Sequence, residues 1–193
     1  MPIRKIAQMG EPVLRQRARE LAPEEIVSAA TQALIEDMIE TMHDADGAGI
    51  AAPQVYVPVR LCVMELAGNP RYPNVPALPL TVLVNPVLEI LVPNPENPSD
   101  TDVVTMFEGC LSVRGIRGQV RRPRRVRVSA LDREGRPFEM LLEGPLASVV
   151  QHETDHLDGV LFVDRVESRT LTFLREYDRH VPLAARIVDG GAS

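Results

Sequence analysis

The sequence predicts an α+β fold in which antiparallel sheets pack around a central helix, with an N-terminal helix before the strands and a C-terminal helix after them. Three observations predict it: a helical pattern near the start, a run of strand patterns with no helix between them, and a second strong helical pattern after the strands. Strands that alternated with helices would instead indicate a parallel sheet. The length of 193 residues is typical of one domain, which we expect to span residues 1–193.

The first predicted element is a helix over residues 23–43. Pro23, Glu24 and Glu25 suit a first helical turn, because proline lacks the amide that has no partner there and carboxylates are stabilised near the helix N-terminus. Apolar residues then recur with helical spacing, at Ile26, Ala30, Leu34, Met38 and Met42. A loop rich in aspartate and glycine follows the helix.

The middle of the chain predicts strands and surface loops. Apolar residues alternate over residues 57–65, which indicates a strand. Eight of the 17 prolines lie between Pro70 and Pro98. Because proline removes a backbone donor, this stretch predicts surface loops, including an insert over residues 67–80. A strand over residues 80–92, interrupted at Asn85-Pro86, separates the loops.

A hairpin and two helices complete the predicted order. Apolar and polar residues alternate on both sides of a turn within residues 124–142, which predicts a β-hairpin. Gly144-Pro145 is typical of a helix start and Gly159 of a helix end, so the apolar segment between them predicts the central helix. The C-terminal helix is predicted over residues 167–179.

Composition excludes several classes of protein. The chain has 21 basic and 27 acidic residues and a net charge of -6, which disfavours general nucleic-acid binding. Its apolar runs are far shorter than the roughly 18 residues of a membrane span, and its start lacks the apolar region of a secretory signal. Cys62 and Cys110 are too few for a disulfide framework. We therefore expect a cytoplasmic protein.

The predicted central helix carries the clearest chemical motif, Gln-His-Glu-Thr-Asp-His at residues 151–156. His152 and His156 are four residues apart, so both imidazoles lie on one helical face and can bind one metal ion. Glu153 lies beside them, where a carboxylate can accept the proton of a bound water. The motif predicts a metal centre.

A third protein ligand is expected, because a catalytic metal usually has three ligands and one open position. The extended motif HExxHxxGxxH places a third histidine where this chain has Phe162. Glu176 lies about twenty residues downstream, as in some metallopeptidases, and Cys110 lies upstream in Glu-Gly-Cys-Leu-Ser. Cys62 lies in an apolar strand pattern and is predicted to be a core residue.

A third segment, residues 47–54, consists mostly of glycine and alanine. Such small residues indicate that the backbone passes close to another part of the fold or to a ligand. Gln54 ends the segment and offers an amide donor that could stabilise a developing oxyanion.

Together, these three segments resemble the peptide deformylase family, whose motifs GxGxAAxQ, EGCLS and QHExDH occur in this order. The resemblance covers roughly residues 5–170. Every fixed position of the motifs is matched, by Gly47, Gly49, Ala51, Ala52, Gln54, Glu108, Gly109, Cys110, Leu111, Ser112, Gln151, His152, Glu153, Asp155 and His156.

The resemblance implies a metal-dependent hydrolase that removes the N-formyl group from the initiator methionine of nascent peptides and releases formate. It implies that Cys110, His152 and His156 bind one divalent ion, Fe²⁺ in the cell, with Zn²⁺, Ni²⁺ or Co²⁺ also possible. It further implies that a metal-bound water attacks the formyl carbon with Glu153 as general base. Gln54 and the backbone N–H of Leu111 would stabilise the oxyanion.

The resemblance also implies which residues contact the peptide. The backbone around Gly49 would hold it like an added strand. The expected contact residues are Gly47, Ala48, Gly49, Glu108 and Gly109, with Ser148 and Val149 at the methionine pocket. Ser148 departs from the family, where a larger residue is common, and Arg114 stands where many members have proline.

A supporting ion pair is expected near the metal ligands. Members of the family carry an acid at the position of Asp46 and an arginine at that of Arg122. We expect the two side chains to form a buried pair that orients His152 or His156.

Residues 114–127 contain seven arginines. They form either a solvated strand face with structural ion pairs or a basic patch that meets ribosomal RNA or the carboxylate end of the peptide. The segment has no interleaved aromatic residues, so no sequence-specific nucleic-acid recognition is expected.

Two alternatives to a deformylase remain at this point. A metalloendopeptidase would use Glu176 as its third ligand. A metal-binding module without catalysis would need neither Glu153 nor Gln54. The presence of both residues argues against this second alternative.

Overall fold

The structure, a computed structural model, describes residues 2–66 and 75–189. Most of the predicted insert at residues 67–80 lies outside the described residues. The strands of the described part are β1 (Gly49–Ala51), β2 (Leu61–Met64), β3 (Thr81–Ile90), β4 (Val103–Cys110), β5 (Val113–Pro123), β6 (Arg125–Leu131), β7 (Pro137–Glu143), β8 (Thr172–Phe173) and β9 (Ile187–Asp189). The helices are α1 (Pro23–Ile26), α2 (Ala29–Asp44), α3 (Pro145–Leu157), α4 (Leu174–His180) and α5 (Leu183–Arg186).

The strands form two antiparallel sheets, which confirms the predicted fold class. The first sheet has the order β1-β2-β3-β6-β7, and the second has the order β8-β5-β4-β9. Helix α3, which carries the His-Glu-Thr-Asp-His motif, contacts β1, β2 and β7 of the first sheet and β4 and β5 of the second. No helix of the described part is both long and apolar enough to cross a membrane.

The first sheet is covered by helices on both faces. Leu61 and Val63 of β2 pack into one core with α2, while Cys62 and Met64 pack into another core with α3. Alternate residues of a strand point to opposite faces, so a strand covered on both sides is apolar throughout. Cys62 is fully buried in the second of these cores, which confirms the prediction of a core residue.

The predicted helix over residues 23–43 is divided in two. Helix α1 ends at Ile26, and α2 begins at Ala29 after the N-cap residue Ser28. The Ser28 hydroxyl accepts a hydrogen bond from the backbone N–H of Thr31 at 3.2 Å, which starts a new helix in place of a continuous one. Apolar periodicity does not detect this break, because the apolar residues Ile26, Ala30 and Leu34 keep helical spacing across it, although Ala30 is exposed in the structure.

The predicted central helix and hairpin are confirmed, but the C-terminal helix begins later than predicted. Residues 172–173 form β8, which pairs with Ile116 and Arg117 of β5, and α4 begins only at Leu174. The long β4–β5 hairpin was not predicted.

Strand β3 contains the predicted interruption at Asn85-Pro86, and its register with β6 shifts between Val84 and Val87. Asn85 has a left-handed backbone with φ of 49°. Its side-chain amide accepts a hydrogen bond from the N–H of Leu21 and donates one to the carbonyl of Leu21, both at 2.9 Å. Asn85 therefore joins the N-terminal segment to the first sheet.

The variant Asn85→Ala should lower the free energy of unfolding by about 2–3 kcal/mol, because it removes two hydrogen bonds and keeps a strained φ. Asn85→Gly should cost less, since glycine adopts the left-handed conformation without strain. Urea unfolding of the two variants measures the difference. Asn97→Ala, in an exposed turn, is the control and should change stability by less than about 0.5 kcal/mol. Equal stability of Asn85→Ala and wild type would contradict this account.

Candidate metal centre and active site

A cleft of about 810 Å³ opens between the C-terminal end of α2, strand β1, the β4–β5 hairpin and α3. All three motif segments contribute to its wall. Its lining includes Gly47, Ala48, Gly49, Gln54, Glu108, Gly109, Cys110, Leu111, Ser148, Val149, His152 and Glu153.

Three metal-binding side chains converge at this cleft. Ligand atoms of Cys110, His152 and His156 all lie within 4.8 Å of one another, and the Cys110 Sγ is 3.2 Å from Nε2 of His156. Cys110 ends β4, and the two histidines are one turn apart on α3. A thiolate with two imidazoles is a donor set suited to a divalent transition metal.

The electrostatics of the cluster favour a thiolate. Burial alone raises the pKa of the Cys110 thiol, but the charge of His156 and hydrogen bonds from both histidines outweigh burial and hold the pKa well below its usual range. Burial likewise disfavours the charged form of His152. Its contacts with Cys110 and Glu108 nevertheless raise its pKa well above the usual value.

Two buried polar atoms beside the cluster have no hydrogen-bond partner among the described residues. They are Oε2 of Glu153 and Nδ1 of His156. Burial raises the pKa of Glu153 to about 6. Buried polar atoms are normally paired, so an unpaired carboxylate oxygen next to three converging side chains suits contact with a bound ion or water. The residues of the cleft therefore fit a metal centre.

Gly49 allows Glu153 to reach this position. A Cβ atom built on Gly49 would lie 2.5 Å from Oε1 of Glu153 and 2.7 Å from its Cδ. Any other residue at position 49 would displace the carboxylate. Of the two interpretations of this small-residue segment, close approach to another part of the fold therefore holds at Gly49.

Gln54 is held with its amide nitrogen toward the cluster. Its Oε1 accepts a hydrogen bond from the N–H of Ala51 at 2.8 Å. Its Nε2 donates to Ser112 Oγ at 3.1 Å and lies 3.4 Å from the Cys110 Sγ. The amide is buried, so its orientation is set by these contacts.

The family profile described as polypeptide deformylase matches residues 3–171. The chain is 40% identical over 190 residues to the peptide deformylase of Leptospira biflexa, covering 98% of this chain and 100% of that protein. It is 44% identical over 164 residues to the peptide deformylase of Pseudomonas aeruginosa, covering 85% and 87%.

Solved structures give the same result. The Met-Ala-Ser-bound crystal structure of the class I type b peptide deformylase from Acinetobacter baumannii superposes with a TM-score of 0.78 at 37% identity, covering 86% of this chain and 99% of that chain. The chain belongs to the peptide deformylase family. Peptide deformylases are metal-dependent enzymes that act on formyl-methionyl peptides, and the cluster of Cys110, His152 and His156 could hold their metal.

In this peptide deformylase, a buried carboxylate orients one of the histidines. Oε2 of Glu108 lies 2.9 Å from Nδ1 of His152, which leaves Nε2 of His152 to face the cluster. The Ser148 hydroxyl donates to Oε1 of Glu108 at 3.0 Å. A histidine ligand typically donates its second ring N–H to such an acceptor, which fixes its orientation. Glu108 was expected only as a substrate contact, so sequence reasoning missed this role.

Arg122 completes the network. Its guanidinium binds both oxygens of Glu108 and, at 2.8 Å, Oδ2 of Asp155. Burial opposes the charge of Glu108, but Arg122 and His152 outweigh burial and lower the Glu108 pKa to about 2. Arg165 binds the same carboxylate of Asp155 from the outer side.

The predicted pair of Asp46 with Arg122 is wrong. Arg122 is buried as expected, with 2% of its surface exposed, but its partners are Glu108 and Asp155. Asp46 is exposed in the turn after α2, with a φ of 49°. A buried guanidinium requires buried partners, and an exposed carboxylate in a turn does not supply one. The presence of Glu108 in the same short motif as Cys110 was the signal that could have identified the right acid.

Glu176 does not join the metal centre in the described part of the chain. It lies on α4 and pairs with Arg179 and His180 of the same helix. The cluster of potential ligands contains Cys110 instead. The endopeptidase alternative therefore loses its third ligand. Phe162, which occupies the third-histidine position of the extended motif, packs beside the ring of His152.

The arginine-rich segment divides into two groups. Arg122 is buried in the network above, and four further arginines pair with carboxylates: Arg121 with Asp100, Arg124 and Arg125 with Glu143, and Arg127 with Glu89. Arg114 and Arg117 instead line the cleft. Structural ion pairs therefore account for most of the segment.

The variant Arg122→Met should lower the free energy of unfolding by about 3–5 kcal/mol, because it strands the buried carboxylate of Glu108. It should also weaken metal retention by roughly ten- to a hundredfold, because Glu108, the partner of His152, is no longer held in place by Arg122. Chemical unfolding and metal analysis after dialysis measure the two effects. Arg121→Met is the matched control on the same strand, and it should change stability by less than about 1 kcal/mol, because its pair with Asp100 is exposed. Similar losses in both variants would refute the role of the network.

Proposed function

We propose that this chain removes the N-formyl group from the initiator methionine of nascent peptides and releases formate. The observation that carries the proposal is the buried cluster of Cys110, His152 and His156, with the unpaired carboxylate of Glu153 beside it in the cleft. Membership of the peptide deformylase family supports the substrate class. We also propose that the chain forms one domain and that it works in the cytoplasm, where nascent chains are made.

Cys110, His152 and His156 would hold one divalent ion. When bound, the ion supplies Lewis acidity, which lowers the pKa of water and polarises the formyl oxygen. Glu153 accepts the proton of the attacking water. With a pKa of about 6, its carboxylate is mostly ionised at neutral pH yet basic enough to take that proton. The same carboxyl then donates the proton to the departing amine.

Two donors stabilise the oxyanion in this proposal, the side-chain amide of Gln54 and the backbone N–H of Leu111. The contacts of Gln54 support it, because Ala51 holds the carbonyl oxygen and thereby turns the NH₂ group toward the cluster. A fixed donor of this kind is typically worth roughly 3–4 kcal/mol of transition-state stabilisation.

The peptide would bind as an added strand along β1. This strand lies at the edge of the first sheet, and Gly47, Ala48 and Gly49 line the cleft beside it. The methionine side chain would enter between Ser148 and Val149. The small side chain of Ser148 would widen this pocket. It would not add a free polar group, because its hydroxyl is hydrogen-bonded to Glu108. The relative from Acinetobacter baumannii binds Met-Ala-Ser, which supports a methionine pocket.

The variant Glu153→Ala should retain the metal and lose kcat by at least about a hundred- to ten-thousandfold, because it removes the general base but no ligand. Cys110→Ala should lose the metal as well. Formate release from formyl-Met-Ala-Ser and metal content after gel filtration measure these effects. Glu176→Ala is the control that tests the endopeptidase, and it should leave both quantities unchanged. Near-normal kcat in Glu153→Ala, or loss of metal in Glu176→Ala, would refute the assignment.

We propose Fe²⁺ as the ion bound in the cell, although one thiolate and two imidazoles also suit Zn²⁺, Ni²⁺ and Co²⁺. Protein purified without oxygen should contain iron and lose activity in air as the metal oxidises. Cys110 would then be open to oxidation toward sulfinic acid. Metal analysis, activity and intact mass before and after exposure to air test this. Stoichiometric zinc with full, air-stable activity would refute the choice of iron.

A further inference from the structure

Ser148 belongs both to the wall of the cleft and to the network around Glu108. It lines the cleft, yet only 1% of its surface is exposed. It precedes His152 by four residues on α3, so the two side chains share one helical face. The Ser148 hydroxyl donates to Oε1 of Glu108 at 3.0 Å, and Nδ1 of His152 lies 2.9 Å from Oε2 of the same carboxylate. Ser148 therefore reaches the group that orients a candidate metal ligand.

The hydroxyl of Ser148 completes the set of donors to Glu108. An ionised carboxylate accepts about four hydrogen bonds, two on each oxygen. In the described structure Oε1 contacts Nε of Arg122 and the Ser148 hydroxyl, while Oε2 contacts Nη2 of Arg122 and Nδ1 of His152. Glu108 is buried, with 4% of its surface exposed, so water has little access to replace a lost donor.

The proton of the Ser148 hydroxyl is committed to this contact. A hydroxyl has one proton, and an ionised carboxylate can only accept. The proton that points to Glu108 is therefore not available to a bound peptide. A hydroxyl inside a helix can instead bond the carbonyl one turn earlier, as Thr154 does with Val150 at 2.9 Å. The bond of Ser148 leaves its own helix and joins α3 to β4.

Loss of this hydroxyl would loosen Glu108 on the side of Oε1. That oxygen would keep only its contact with Arg122, which is itself also held by Asp155. The carboxylate would then be free to turn, and Oε2, which orients His152, would turn with it. A residue that served only as the wall of the methionine pocket would not need a hydroxyl at all.

We propose that Ser148 is a positioning residue of the metal centre, whose hydroxyl holds Glu108 and through it keeps His152 in the orientation that binds the ion. Ser148 is not one of the three converging ligands and acts through Glu108. The inference rests on the metal site of the proposed function, and it does not depend on the identity of the substrate.

The test loads the whole chain with Zn²⁺ and follows transfer of the ion to an excess of a coloured chelator. Ser148→Ala should release Zn²⁺ about three- to tenfold faster than the wild type, below the roughly ten- to hundredfold effect typical of a direct partner of a ligand. Ser148→Thr and Ser148→Val form a matched pair, because the two side chains have nearly the same shape and only threonine carries a hydroxyl. The threonine variant should release Zn²⁺ at close to the wild-type rate, and the valine variant at the rate of Ser148→Ala.

Thr154→Val is the control on the same helix. It removes a buried hydroxyl whose partners are the carbonyls of Val150 and Gln151, and it should release Zn²⁺ at the wild-type rate. Urea unfolding of the metal-free proteins verifies that each variant is folded under the conditions of the release assay.

Unchanged Zn²⁺ release in Ser148→Ala overturns the inference. Equal release from Ser148→Thr and Ser148→Val also overturns it, because the volume of the side chain would then control the effect. Release from Thr154→Val as fast as from Ser148→Ala would show a general effect of losing a buried hydroxyl and would overturn it too. A change confined to KM for formyl-Met-Ala-Ser, with metal release unchanged, would leave Ser148 as a pocket residue only. Since metal release needs no substrate, these outcomes are independent of the proposed function, which a metal-loaded wild type that releases no formate would refute.

Discussion

The buried charge of Arg122 is the constraint on which the rest of the active site depends. A guanidinium removed from water requires carboxylate partners, and Arg122 finds them in Glu108 of β4 and Asp155 of α3. One side chain of β5 therefore ties the second sheet to the central helix. Because Glu108 also holds His152, the position of a candidate metal ligand follows from the same interaction.

The second constraint is steric, and it comes from glycine. Glu153 lies against Gly49 at a distance that leaves no room for a Cβ atom, and Arg117 lies against Gly109 in the same way. Both glycines bring a charged side chain into the cleft from a neighbouring element. Gly49 and Gly109, one in each of the first two motifs, are therefore required by close contacts within the fold.

Much of the site could be predicted from local sequence, because its chemistry lies in short motifs. The spacing of His152 and His156 on a helix places two imidazoles on one face whatever the rest of the chain does. Partners across elements were harder to predict. The acid that pairs with Arg122 was assigned to Asp46, although Glu108 lies only two residues from Cys110 on the same strand. Burial separates the two candidates, and burial is a property of the tertiary structure.

By itself, the sequence determined the fold class, the central helix, the buried strand around Cys62 and the three motifs of the family. These features follow from periodicity and residue type, which act over a few neighbouring residues. Only the tertiary structure decided that the first helix breaks at Ser28, that residues 172–173 form a strand, and that Arg117 has no acidic partner in the described chain while Arg121 has one. Each of these depends on a hydrogen bond, a strand pairing or a contact that residue type and spacing alone do not encode, because it requires the positions of groups brought together by folding.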